Sequence, residues 1–309
     1  MAAVFKCRKV MGAQRTRWYL GFMTRHLEPL ADGTGMRVRM TDGRAIGITV
    51  HGDPKGKPLL WFPGAPSCRL WPVPDGEATH SAGVRLVVVE RPGCGVSDFQ
   101  PNRRLTDWPR DVGEVADALG LDSFAVAGSS AGGPYVAASA YALSDRVRLA
   151  MIVGGPAPLN MPSIRAGMTM RRRALFSVLG LAPYAVPLLR ILGPSGIDRL
   201  MTGDVPECDR RVLDRISERY MLSKREAFRL GLGGFALDLA LVSRPWGFSL
   251  QSIRVPVHIW HGELDISMPI AMARCLATAI PTSRTRFFPG CGHFLAYQAW
   301  PEILTLVTS

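Results

Sequence analysis

Apolar residues along this chain follow two successive patterns. Residues 36–40 and 45–50 read as a pair of strands joined at Asp42-Gly43, a dipeptide that suits a hairpin turn with positive φ. Beyond them, 59–62, 84–90, 124–127, 150–153 and 255–260 are short unbroken runs rich in Val, Ile and Leu. Such runs mark strands buried on both faces. Between them, 107–119 places Val112, Val115, Ala116 and Leu119 at helical spacing, and 131–143 is small and apolar enough to lie close under a sheet. This alternation of strand, helix and strand predicts an α/β fold with a doubly wound, mainly parallel sheet. Sheets of that kind carry their sites at the carboxyl ends of the strands.

From 156 to 245 the alternation stops. The segment reads as helices broken by Pro183, Pro187, Gly193, Pro194 and the glycines of 231–234. The expected organisation is a basic N-terminal extension at 1–35, the first part of an α/β core at 36–155, an inserted helical lid at 156–245 and the rest of the core at 246–309. Within the lid, 174–192 is apolar enough to raise a membrane span, but Pro183, Tyr184 and Pro187 interrupt it and Arg190 lies near its end. A lid helix pair, with Leu175, Phe176, Leu179 and Leu181 lining an apolar pocket, fits the pattern better.

With 309 residues and 47% apolar composition, the chain has ample material for a large core, which excludes disorder as its main state. The formal charge of +12 would suit an anionic partner. Its excess, however, gathers at Lys6, Arg8, Lys9, Arg15, Arg17 and Arg25 and in the run Arg171-Arg172-Arg173, with no nucleic-acid-binding module beside either. The expectation is a small-molecule substrate and no nucleic acid, with peripheral contact to an anionic membrane left open. The only compact apolar run near the start, 18–23, is short and holds Gly21, so no secretory signal is read. A tail is favoured over an organellar transit segment. Six cysteines without a C-x-x-C pair suggest neither a zinc site nor a disulfide framework and favour a reducing, cytoplasmic setting. No metal or cofactor is expected.

The chemistry centres on Gly128-Ser129-Ser130-Ala131-Gly132, placed directly after one predicted strand and before an apolar helix. A sharp strand-to-helix turn exposes a nucleophile there, and glycines on both sides relieve its crowding. A serine hydroxyl needs a base to take its proton, and the base needs a third group to hold its tautomer. His293, after a predicted strand at 285–288, is the candidate base, and Asp265, after the strand ending at Trp260, is the candidate acid. Glu263 and Asp238 are weaker acids, Asp265 has an alternative use as a helix cap before Pro269, and His258 and His261 read as structural. The tight loop Phe62-Pro63-Gly64-Ala65-Pro66-Ser67 follows a strand, so the backbone amides of Ala65 and Ala131 are the candidate oxyanion donors.

In these segments the chain resembles the α/β-hydrolase fold superfamily. The loop F-P-G-A-P-S-C-R resembles that family's H-G-x-P-G-S-R segment, and R-P-G-C-G-V-S-D at residues 91–98 resembles its R-P-G-x-G-x-S-D loop. With G-S-S-A-G-G, W-H-G-E-L-D and G-C-G-H-F, the resemblance spans residues 36–309, least in the lid. It implies a serine hydrolase acting on an ester or related acyl bond through an acyl-enzyme. Pro63 stands where the family usually has histidine and Ser67 where it usually has glycine. Ser130 speaks against the branches that use an aspartate nucleophile. A proline iminopeptidase-like peptidase and a non-catalytic scaffold remain as alternatives.

Overall fold

The computed structural model describes residues 26–159 and 205–309, with Val186, Ile191 and Gly196 as single positions between them. Among the described residues nine strands form one sheet: β1 (Leu27–Pro29), β2 (Met36–Arg39), β3 (Ala45–Gly52), β4 (Lys57–Phe62), β5 (Val84–Val89), β6 (Phe124–Ser129), β7 (Val147–Val153), β8 (Val257–Gly262) and β9 (Ser283–Phe288). Their order across the sheet is β1-β2-β3-β5-β4-β6-β7-β8-β9. The β1, β2, β3 and β5 pairings are antiparallel, whereas β5-β4-β6-β7-β8-β9 pair in parallel. This is the mainly parallel sheet that the apolar runs predict. Alternate side chains of β4 supply its two faces. Leu60 and Phe62 join one core with Val112, Val136 and Met272, while Leu59 and Trp61 join the other with Ile303, Leu304 and Val307.

Helices cover both faces: α1 (Gly76–Ser81), α2 (Trp108–Ala118), α3 (Gly133–Ala142), α4 (Glu207–Ala227), α5 (Gly233–Ser243), α6 (Ile270–Ala279), α7 (Leu295–Gln298) and α8 (Trp300–Thr308). Helices α4 and α5 lie in the inserted interval between β7 and β8. The basic run 171–173 and most of the apolar stretch 174–192, Leu175, Phe176, Leu179 and Leu181 included, fall outside the described residues. Among the described residues no helix is long and apolar enough to cross a membrane.

The elements depart from the sequence pattern in a few places. β1 forms inside the stretch read as an extension, pairing Leu27 with Val38. β8 starts at Val257 rather than 255, because Pro256 has no N–H for the ladder. The helix expected from 131 is preceded by a 3-10 turn over Ser130–Gly132 and begins at Gly133.

Connectivity positions the site. The chain passes from β4 to β5 on one side, then returns over β4 to β6 on the other. A reversal of this kind opens a crevice at the carboxyl ends of the strands flanking it. Here those ends are adjacent, with Phe62 of β4 in register with Gly128 of β6.

Candidate active site

Ser130 follows the last residue of β6 and has φ +51, a left-handed conformation that a residue with a side chain adopts at a cost of about 1–3 kcal/mol. The flanking glycines are dictated by the end of β4. A Cβ on Gly128 would lie 2.8 Å from the Phe62 carbonyl oxygen, and one on Gly132 only 2.1 Å from it. Close approach of backbone to backbone thus lets the turn sit on the sheet edge while Ser130 faces outward into a cavity.

That cavity, of about 60 Å³, is lined by Gly64, Ala65, Ser129, Ser130, His293 and the aromatic rings of Trp71, Tyr220, Phe294 and Tyr297 among others. His293 comes from the loop after β9, and its Nδ1 stands 2.8 Å from Oδ2 of Asp265, which comes from the turn after β8. The other carboxylate oxygen, Oδ1, accepts the backbone N–H of Ser267 and of Met268, each at 2.8 Å. Asp265 does not cap the following helix, which starts at Ile270 with Pro269 at its N-cap and no side-chain cap bond; one of its oxygens instead holds the turn before that helix while the other faces the histidine. A carboxylate only accepts, so the ring proton sits on Nδ1 and Nε2 is left as the basic atom.

The electrostatics agree with that division. Burial disfavours ionisation of Asp265, but His293 and the amide bonds outweigh it and hold the carboxyl below its ordinary value. Burial likewise opposes charging of His293, yet the carboxylates of Asp265 and Asp209 raise its pKa above the ordinary imidazole value. His261 is buried behind Asp265, with Nε2 at 2.8 Å from the Met268 carbonyl oxygen. Burial lowers its pKa. His258 lies within β8, and Glu263 is exposed in the following turn.

Asp238, the weakest of the candidate acids, has a different place. It is fully buried on α5, where Oδ2 accepts from Arg91 Nε at 2.6 Å and Oδ1 from the Tyr135 hydroxyl at 2.7 Å and from Arg103. Burial opposes its ionisation, but the two guanidiniums keep the carboxyl below the usual range. Arg91 in turn donates to the carbonyl oxygens of Pro63 and, at 3.0 Å, of Gly64. In a trans peptide the C=O and the next N–H point to opposite sides. Turning the Gly64 carbonyl toward Arg91 therefore aims the Ala65 N–H away from it. The other predicted donor, Ala131, is buried directly after Ser130.

The sequence reading missed two further features. A second buried ion network joins Arg69 to Glu90 and to Glu226 of α4, each at 2.8 Å. Asp209 of α4 is also buried and accepts the backbone N–H groups of His293 and Phe294. Asp238 carried a signal, a lone carboxylate inside the apolar run 235–242, since a buried charge needs a partner. Asp209 carried none, because an acid in the first turn of a helix is ordinary. Ser67, the departure from the family loop, uses its hydroxyl on Ser223 of α4 at 2.9 Å. Among the described residues Cys68, Cys94, Cys208, Cys275 and Cys291 form no disulfide, and no cluster of His, Cys, Asp and Glu could hold a metal ion.

A model described as the α/β hydrolase fold matches residues 57–299 of this chain. Over 72 residues the chain is 39% identical to the pimeloyl-(acyl-carrier protein) methyl ester esterase of Aromatoleum aromaticum, a match covering 23% of this chain and 28% of the esterase. It is 25% identical over 284 residues to a 2-hydroxy-6-oxononadienedioate/2-hydroxy-6-oxononatrienedioate hydrolase of Paraburkholderia phymatum, covering 89% of this chain and 91% of that one. A solved structure of a thermophilic esterase from Thermogutta terrifontis, with malate bound, matches with a TM-score of 0.68 and 22% identity, covering 88% of this chain and 99% of that one. At that identity the likeness speaks for the fold.

Proposed function

Since the chain belongs to the α/β-hydrolase fold family, we propose that it is a serine hydrolase that cleaves an ester or related acyl bond of a small substrate through an acyl-enzyme. The observation carrying this reading is the sharing of one cavity by Ser130, on its left-handed turn, and His293, whose Nδ1 is tied to Asp265. In the proposed reaction Ser130 Oγ attacks the carbonyl carbon while His293 Nε2 takes the hydroxyl proton. The amides of Ala65 and Ala131 receive the developing oxyanion, and the imidazolium returns its proton to the leaving alcohol. Water, deprotonated by the same nitrogen, then attacks the acyl-enzyme and releases the acid and free Ser130. Asp265 stabilises the imidazolium throughout without itself taking the proton. The widely spaced cysteines, with no C-x-x-C pair, support a reducing, cytoplasmic setting as part of the proposal.

A second reading within the same chemistry is hydrolysis of a carbon-carbon bond. It is favoured by the match, over 89% of the chain, to a hydrolase of 2-hydroxy-6-oxo dienedioates. The iminopeptidase-like alternative gains no support from the described part of the lid. A free substrate amine would need a carboxylate beside Ser130, but among the described residues no Asp or Glu lines the cavity that holds it.

The test is turnover of short-chain and aromatic nitrophenyl esters, of a 2-hydroxy-6-oxo dienoic acid and of a prolyl arylamide, together with fluorophosphonate labelling. Ester turnover with labelling at Ser130 is the expected result. A protein that resists the label and turns over none of the three substrates is a scaffold instead.

A further inference from the structure

Helix α4 fastens both loops of the site. Near its N-terminus the Asp209 carboxylate accepts the backbone N–H of His293 at 2.8 Å on Oδ2 and that of Phe294 at 2.9 Å on Oδ1. Near its C-terminus Ser223 Oγ contacts Ser67 Oγ at 2.9 Å and accepts the Cys68 N–H at 3.3 Å, and Glu226 accepts from Arg69 at 2.8 Å. Asp209 and Ser223 are separated by about 21 Å along a straight helix, and Tyr220 between them lines the cavity holding Ser130. One rigid element of the lid thus grips the histidine loop at one end and the loop carrying Ala65 at the other.

An acid in the first helical turn ordinarily sits in solvent, where it complements the helix dipole. Asp209 does not: its residue is fully buried, and both oxygens go to the histidine loop. The loop is shaped for it. A Cβ on Gly292 would come within 2.3 Å of Asp209 Oδ2, so the missing side chain reserves the carboxylate's space.

We propose that Asp209 is a positioning residue which, from the lid, sets the placement of His293 and so links the seating of helix α4 to the reaction at Ser130. This rests on the reading of His293 as the base. The groups facing the imidazole are Asp265 from the turn after β8, Asp209 from α4 and, behind Asp265, His261 of β8. Asp209 is faced also by the Cys208 and Cys291 thiols. Burial opposes the charging of His293, Asp265 raises its pKa most, and Asp209 adds to that in the same direction. Loss of the Asp209 charge therefore makes the imidazole a weaker base.

Asp209→Asn keeps the side-chain volume but offers one acceptor oxygen to two amides and removes the charge. Counting active sites by fluorophosphonate titration, kcat per site on a nitrophenyl ester should fall about ten- to a hundredfold, the scale of a small misplacement. KM should change less, and the acid limb of the kcat profile should move to lower pH. Gly292→Ala, which crowds the carboxylate from the loop side, should lower kcat per site similarly, and the double variant should lose little more. Glu207→Gln removes an exposed charge on the same turn and should change neither quantity. A purely structural Asp209 would give fewer titratable sites with wild-type kcat and pH profile at each, and that result overturns the proposal. If Asp209→Asn does not fold, the same measurement on Gly292→Ala decides, wild-type kcat per site overturning it. Should the wild type hydrolyse nothing, so that the hydrolase reading fails, NMR titration of the His293 imidazole still decides. A downward shift in Asp209→Asn supports the placement, and an unshifted titration overturns it.

Discussion

The His293 Nδ1 lies 2.8 Å from Asp265 Oδ2, and the other oxygen of that carboxylate accepts two backbone amides, so both oxygens of the side chain are engaged. The ring is thereby fixed in one tautomer, with Nε2 basic. The same pairing favours the charged ring and raises its pKa above 6.5, although burial opposes this. A base must be neutral to act. We therefore expect kcat/KM to rise with pH through a value above 6.5, and Asp265→Asn to move that limb to lower pH while costing about 10⁴-fold in kcat. The linkage to stability has the opposite sense. The contribution of the charged ring is complete below about pH 6.5 and is lost as pH rises through the folded value. Urea midpoints of the wild type and of Asp265→Asn should thus converge as pH is raised through that range. A pH-rate profile whose acid limb ignores Asp265→Asn would count against the pairing.

Ser130 and Ser129 are adjacent and both border the cavity, but only Ser130 occupies the left-handed turn. A fluorophosphonate should modify Ser130 alone, as located by mass spectrometry of the digested protein. Ser130→Ala and His293→Ala should each abolish labelling and lower kcat by on the order of 10⁶, and the two losses should not add, since the residues act as one unit. A label that survives Ser130→Ala would locate the nucleophile elsewhere.

Asp238 is the shared partner of two buried guanidiniums, one of which orients the Gly64 carbonyl. Asp238→Ala leaves Arg91 and Arg103 without their shared partner, and removing one member of a buried ion network typically costs about 3–5 kcal/mol. Urea unfolding should register that loss. In whatever fraction folds, kcat should drop more than KM rises, because the loop aiming the Ala65 amide is freed. Equal stability of Asp238→Ala and wild type would mean that the network carries little.

The parallel sheet was legible beforehand because its strands are continuous apolar runs, and the segments carrying Ser130, Asp265 and His293 each follow one of them. The expected strands 84–90 and 124–127 correspond to Val84–Val89 and Phe124–Ser129. The strand Leu27–Pro29 was not legible, since three residues ending in proline show no alternation and are stabilised only by pairing with β2. Charges resisted reading for a related reason. Asp209 acts across 84 residues of sequence and Asp238 across 147, and no local pattern records a partner so distant. Ser67, which stands where the family usually has glycine, contacts Ser223 of α4, a partner 156 residues away that the local sequence does not show.

The turn at Ser130 also sets function against stability. With φ +51 the residue sits where a Cβ is disfavoured by about 1–3 kcal/mol, and only the surrounding sheet edge holds it there. Ser130→Ala and Ser130→Gly both remove the hydroxyl and should both be inert, so their difference isolates the backbone. Glycine loses about 0.4–1 kcal/mol through the greater freedom of the unfolded chain but is relieved of the strain. The strain is the larger quantity, so Ser130→Gly should be the more stable of the two by about 1 kcal/mol in urea unfolding. In the interior of α3, Ala137→Gly provides the reference of opposite sign, destabilising because no positive φ rewards the missing Cβ. Should Ser130→Gly prove no more stable than Ser130→Ala, the turn is not strained in solution, and its geometry needs no compensation from the glycines beside it.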